Sequence, residues 1–180
     1  MPDTQQMTTN GAGGRCLLAV LANPPLTTSG QRTRDRVALA AQIIGCPDFE
    51  VGNLFPVPSM DVSSIARLGV RPELWSDARD DLVNQLSRAD DVLLGWGCTE
   101  PAGGARLHHR SQIEWLLTTV ESKPIQLWTV GGVPRHPSRW QRYTSRAYPA
   151  LPFVAALRVS LGAAHGIGAF ENRSASQWTV

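Results

Sequence analysis

Asn23 followed by Pro24-Pro25, Asn53 followed by Leu54-Phe55, a Trp96-Gly97 pair and a His136-Pro137-Ser138 run each close an apolar stretch of strand length. Amide and imidazole groups at such places suit a flat, polar ligand. An amide sets a donor beside an acceptor, as the edge of a nucleobase does. A neutral imidazole in a fixed tautomer can donate to a carbonyl oxygen, and a second amide can orient water without being a strong base. Cleavage of an N-glycosidic bond needs these functions, because it leaves positive charge on the sugar and negative charge on the departing base. Taken singly, each residue also has a structural use: Asn-Pro starts turns, an asparagine closes a strand, and a loop histidine satisfies its neighbours. Their order, each at the end of an apolar run, makes them one candidate site.

The runs that carry them are residues 16–22, 49–55, 92–96 and 125–130. Helical patterns lie between. Residues 33–44 place apolar Val37, Ala40, Ala41 and Ile44 behind charged Arg34, Asp35 and Arg36, and Gly45 closes the pattern. A proline-rich excursion over residues 56–75 has room for a short helix at 62–68. Ser76-Asp77 can cap a helix to about Arg88 with Leu82, Val83 and Leu86 inward. Residues 108–121 form another, with Ile113, Leu116, Leu117 and Val120 on its apolar side. Strands alternating with helices predict an α/β chain: a three-layer αβα sandwich around a mostly parallel four-stranded sheet. In such sheets ligands bind outside the carboxyl ends of the strands, where all four motifs fall. Residues 14–180 read as a single domain, residues 1–13 as a disordered lead-in, and the tail after about residue 165 as irregular; residues 151–180 carry no firm element.

Composition limits the chemistry further. The 180 residues carry a formal net charge of +2, but acids crowd the first hundred positions and the remainder is basic, which suits phosphates as well as a solvated surface. No apolar run approaches the about 20 residues of a membrane span. Cys16, Cys46 and Cys98 are odd in number and far apart, so neither a disulfide framework nor a zinc site is expected, and a cytoplasmic setting fits. The Gly97 to Gly104 loop lacks the Lys-Ser/Thr ending of a phosphate loop. Adjacent His108 and His109 lack a third ligand and read as exposed surface, so no metal or organic cofactor is expected. Lys123, the only lysine, precedes the fourth strand at the wrong end for a Schiff base, which leaves water as nucleophile.

The motif order resembles the uracil-DNA glycosylase superfamily, and residues 17–149 are also similar to an uncharacterised bacterial domain family of the same layout. The resemblance implies a uracil-DNA glycosylase-like fold. It implies that Asn23 positions the attacking water, Asn53 reads the base edge, His136 binds the base carbonyl, and Pro25 and Phe55 border the base. The superfamily's strongest uracil enzymes carry Asp and Tyr where Asn23 and Pro25 stand. That departure implies weaker water activation and room for a five-substituted pyrimidine, as in hypermodified phage DNA. The expected activity is a monofunctional DNA glycosylase that leaves an abasic site, possessing a role in defence against such phage. Arg135, Ser138, Arg139, Trp140 and Arg142, which interleave cations with an aromatic, are expected to grip DNA phosphates and fill the gap left by the everted base. DNA is the expected partner, with no membrane and no protein partner. The alternatives are a hydrolase of free nucleosides or nucleotides and a noncatalytic nucleic-acid-binding module.

Overall fold

The computed structural model describes residues 14–164; the expected lead-in, 1–13, and the tail after about residue 165 lie outside the described residues. Strand β1 (Cys16–Leu21) is followed by helix α1 (Gln31–Ile44), β2 (Asp48–Asn53), α2 (Val62–Leu68), α3 (Pro72–Leu86), β3 (Asp91–Leu94), α4 (Ala105–Glu121) and β4 (Gln126–Val130). A 3₁₀ turn (Pro137–Arg139), α5 (Trp140–Ala147), α6 (Phe153–Ser160) and β5 (Leu161–Ala164) complete the described chain.

The sheet order is β2-β1-β3-β4-β5. The first four strands are parallel, and β5 runs antiparallel along β4. The expected four-stranded sheet is therefore five-stranded. Leu161-Gly162-Ala163-Ala164 has no alternating pattern, so only its ladder to β4 makes it a strand. Leu17 to Val20 are wholly enclosed because both faces of β1 are covered. Leu18 and Val20 join the core under α3 and α4, while Leu17 and Ala19 join the one under α1 and α6. That period of two is the pleat, and it yields helices on either side of the sheet.

Two helices begin earlier than their sequence patterns suggest. Pro72 occupies the first turn of α3, so Ser76 and Asp77 lie inside the helix rather than capping it, and Val83 is exposed instead of inward. α4 starts at Ala105, which is buried. Among the described residues no helix is long and apolar enough to cross a membrane.

β1 sits between β2 and β3, so the chain leaves β1 in one direction and crosses back over it to reach β3. The carboxyl edge of β1 is the point of reversal, where the connecting loops part and a crevice can form.

Candidate functional site at the carboxyl edge of the sheet

Asn53 is the last residue of β2 and pairs in register with Leu21 of β1. The ladder continues past the strands: Leu54 N–H donates to Leu21 O and Phe55 N–H to Ala22 O, both at 2.9 Å. Asn23 therefore leaves β1 beside the exit of β2. Its Nδ2 donates to Pro24 O and to Ser59 O, each at 2.8 Å, and Ser59 N–H returns a bond to Pro24 O at 3.2 Å. The turn-forming use of Asn23 is thus realised, and with it a tie to the loop after β2. Both amide hydrogens are engaged, which leaves Oδ1 for another partner.

Asn53 differs. Its Oδ1 is buried and has no hydrogen-bond partner among the described residues. An acceptor left in that state costs about 1–3 kcal/mol, which a ligand N–H would relieve.

On the other side of β1, Gly95 N–H donates to Val20 O at 2.9 Å and Gly97 N–H to Pro134 O at 2.6 Å. Gly97 adopts φ +100°, a backbone state that favours glycine, and a Cβ added there would lie 3.9 Å from His136 Cβ. The Trp96-Gly97 ending of β3 thus seats the histidine loop. Asn53, Asn23 and His136 stand over β2, β1 and β3 in turn, along one edge.

His136 caps the 3₁₀ turn. Its Nδ1 accepts from Ser138 N–H at 3.2 Å and lies 2.9 Å from Ser138 Oγ. A ring nitrogen that accepts a backbone N–H carries no hydrogen, so the neutral ring holds its proton on Nε2. Burial, then the charges of Arg139 and Arg36, lower the His136 pKa to about 4. The ring is neutral at pH 7 and has one N–H to give.

Arg36 is one of the charged residues in the sequence pattern of α1. It is half-buried, and its guanidinium donates to Pro137 O at 2.7 Å and to Gln141 Oε1 at 3.2 Å, which fastens α1 to the histidine loop. Its place one turn before enclosed Ala40 distinguishes it from exposed Arg32.

The remaining expected site residues divide. Pro25 is exposed at the rim, in a parallel bridge with Ser59. Phe55 is corrected: it is wholly enclosed, 4.7 Å from the Trp75 ring, and presents no surface to a base. Trp140 is also corrected, since its ring is fully buried and its Nε1 donates to Arg135 O at 2.7 Å, so it cannot fill a gap in DNA. Arg135 is half-buried with its guanidinium 4.0 Å above the Tyr143 ring and its Nε enclosed without a partner among the described residues, so it is held in the loop rather than extended to phosphates. Ser138 is exposed but turned to His136. Arg139 at the end of the 3₁₀ turn and Arg142 and Arg146 on α5 are exposed and form no ion pair with a described residue.

His109 is not surface. It is buried against the edge of Trp75, 5.8 Å between ring centroids, with Nδ1 lacking a partner among the described residues, and burial lowers its pKa to about 4. Among the described residues no group of three His, Cys, Asp or Glu could hold a metal ion. A hollow of about 350 Å³ bordered by Val120, Lys123, Gln126 and Ala164 lies at the amino end of β4, the edge opposite the two asparagines and the histidine. Comparison with protein-family models, with curated proteins and with solved structures finds no match to this chain.

Proposed function

We propose that this protein is a monofunctional DNA glycosylase that everts a modified pyrimidine and hydrolyses its N-glycosidic bond, leaving an abasic site. The observation that carries the reading is the bare, buried Oδ1 of Asn53, on the same sheet edge as Asn23 Oδ1 and the Nε2–H of His136. A buried acceptor in want of a donor suits the N–H of a base edge. His136, neutral, donates to a base carbonyl oxygen. As the bond from C1′ to the base nitrogen breaks, its electron pair passes to the base and the Nε2–H stabilises the negative charge. Water held by Asn23 Oδ1 adds to C1′ and gives its proton to solvent. The amide orients that water but does not deprotonate it, so the rate depends on how easily the base departs.

Exposed Pro25 leaves the side of the site next to Asn23 open, which favours a pyrimidine enlarged at its five position and, in a cell, a role against phage with modified DNA. The test is incubation with duplexes that each bear one modified pyrimidine, followed by alkali: strand breaks at one modification support the reading, and an unbroken set overturns it.

A second reading draws on the enclosure of Trp140 and the confinement of Arg135, which shrink the surface offered to DNA. It is a hydrolase of free nucleosides or nucleotides with the same three groups at work. Release of a base from nucleosides but not from duplexes would select it.

A further inference from the structure

One peptide group lies between Arg36 and His136. The carbonyl of Pro137 accepts from the Arg36 guanidinium at 2.7 Å, and the N–H of that same peptide, on Ser138, donates to His136 Nδ1 at 3.2 Å. Hydrogen bonds in such a chain polarise one another, and the first is charge-assisted. A cation on the carbonyl draws electrons toward its oxygen and makes the N–H at the other end a stronger donor. Nδ1 is thereby kept as an acceptor, and the proton of the neutral ring stays on Nε2.

The residue type at position 36 fits this task better than it fits a plain tie between elements. Pro137 O and Gln141 Oε1 are neutral acceptors, which an uncharged amide donor would also satisfy. Arg36 is half-buried and forms no ion pair with a described residue, so the fold encloses part of a charge that no acid neutralises. That enclosure is unfavourable. Burial, then the charge of Arg32, lower the Arg36 pKa accordingly. The guanidinium is fixed by its two hydrogen bonds and by the Phe153 ring, whose centroid is 5.8 Å from Cζ. The charged groups that face His136 are Arg139, on its own turn, and Arg36, from α1. Arg139 is exposed and screened by solvent, whereas Arg36 is held in place.

We propose that Arg36 is a positioning residue for His136, acting through the Pro137–Ser138 peptide to hold Nδ1 as the acceptor and Nε2 as the donor of the ring. The use of that donor against a departing base rests on the glycosylase reading. The coupling between the two side chains does not.

The experiment is a proton–nitrogen NMR correlation of the imidazole rings in the full chain, which reads tautomer and titration together, for wild type, Arg36→Met and Arg36→Lys. The four histidines are told apart by single substitutions. Wild-type His136 should show the Nε2–H tautomer. Arg36→Met, which keeps the apolar stem, should populate Nδ1–H and move the His136 pKa up toward the ordinary value of about 6.5. It should also slow cleavage about tenfold or more with duplex affinity unchanged. Arg36→Lys, which keeps the charge, should restore tautomer and titration. His109, on α4 across the sheet, should titrate alike in all three proteins. A methionine variant in which His136 keeps its tautomer and titration overturns the proposal. So does one in which His109 shifts as far as His136, because the effect then belongs to a loosened fold. A lysine variant that titrates like the methionine one assigns the effect to lost packing and overturns it too. Wild-type protein that cleaves no modified duplex, with the ring changes as expected, overturns the glycosylase reading and keeps the coupling.

Discussion

Asn53 is the residue at which stability and function pull apart. Its bare Oδ1 makes the folded protein less stable than an apolar residue of similar size would. Asn53→Leu should raise stability by about 1 kcal/mol, a melting shift of about 2–4 °C, and abolish cleavage. Scanning calorimetry beside the cleavage assay checks this, and a loss of stability would mean that Oδ1 has a partner. In the proposed reaction His136 is the donor to the departing base. His136→Ala should lower the cleavage rate about 10²–10³-fold with binding retained, the scale for removing one donor to a developing oxyanion. Because burial holds its pKa near about 4, the ring stays neutral from pH 8 down to pH 5, so the rate should be flat over that range. A rate that falls as pH rises through the ordinary histidine value of about 6.5 would show that the imidazolium is the working form.

At the scale of elements, the exit of β2 is held by a buried amide on α4. Gln112 Nε2 donates to Leu54 O at 3.2 Å and Trp75 O at 2.9 Å, and its Oε1 accepts from Arg79 Nε at 2.9 Å. Gln112→Leu should cost about 2–4 kcal/mol in urea unfolding, since it strands a buried carbonyl and a guanidinium N–H. A smaller loss would show that water replaces the amide. How far such elements can be read in the sequence follows from how local their causes are. β1 and β3 announce themselves because an unbroken apolar run ended by a turn former needs no distant partner to be recognised, and β2 and β4, though Glu50 and Gln126 interrupt them, are apolar enough between turn formers to be read the same way. β5 does not, because Leu161-Gly162-Ala163-Ala164 becomes a strand only through β4. The carboxyl-edge placement of Asn23, Asn53 and His136 was legible, since Asn23 and Asn53 close their runs and His136 follows the fourth after a short glycine-containing loop. What surrounds them was not. The burial of Trp140 and Phe55 is decided by contacts with elements far along the chain. The environment of His109 depends on Trp75 packing across from α3, and that of Arg36 on a loop 101 residues away. Polar residues on helix starts look alike in sequence, and packing separates them.

For the whole molecule, the two buried-side histidines link stability to pH. His109 and His136 each hold a folded pKa of about 4, below the ordinary value of about 6.5, so the unfolded chain takes up protons first as pH falls. Their contribution is fully present above about pH 6.5 and is lost as pH falls toward about 4. Urea midpoints measured across that window should drop, and His109→Phe should flatten the slope; an unchanged slope would place the proton uptake elsewhere. The placement of three polar groups along the reversal point of the sheet is the feature on which the proposed cleavage of DNA depends. The measurement that tests this most directly is alkali-dependent breakage of duplexes carrying single modified pyrimidines, run with the wild-type protein and with His136→Ala and Asn23→Ala. The account predicts breaks at one modification that vanish in both variants while duplex binding persists; wild-type protein that breaks none, or variants that cleave as well as it does, would contradict it.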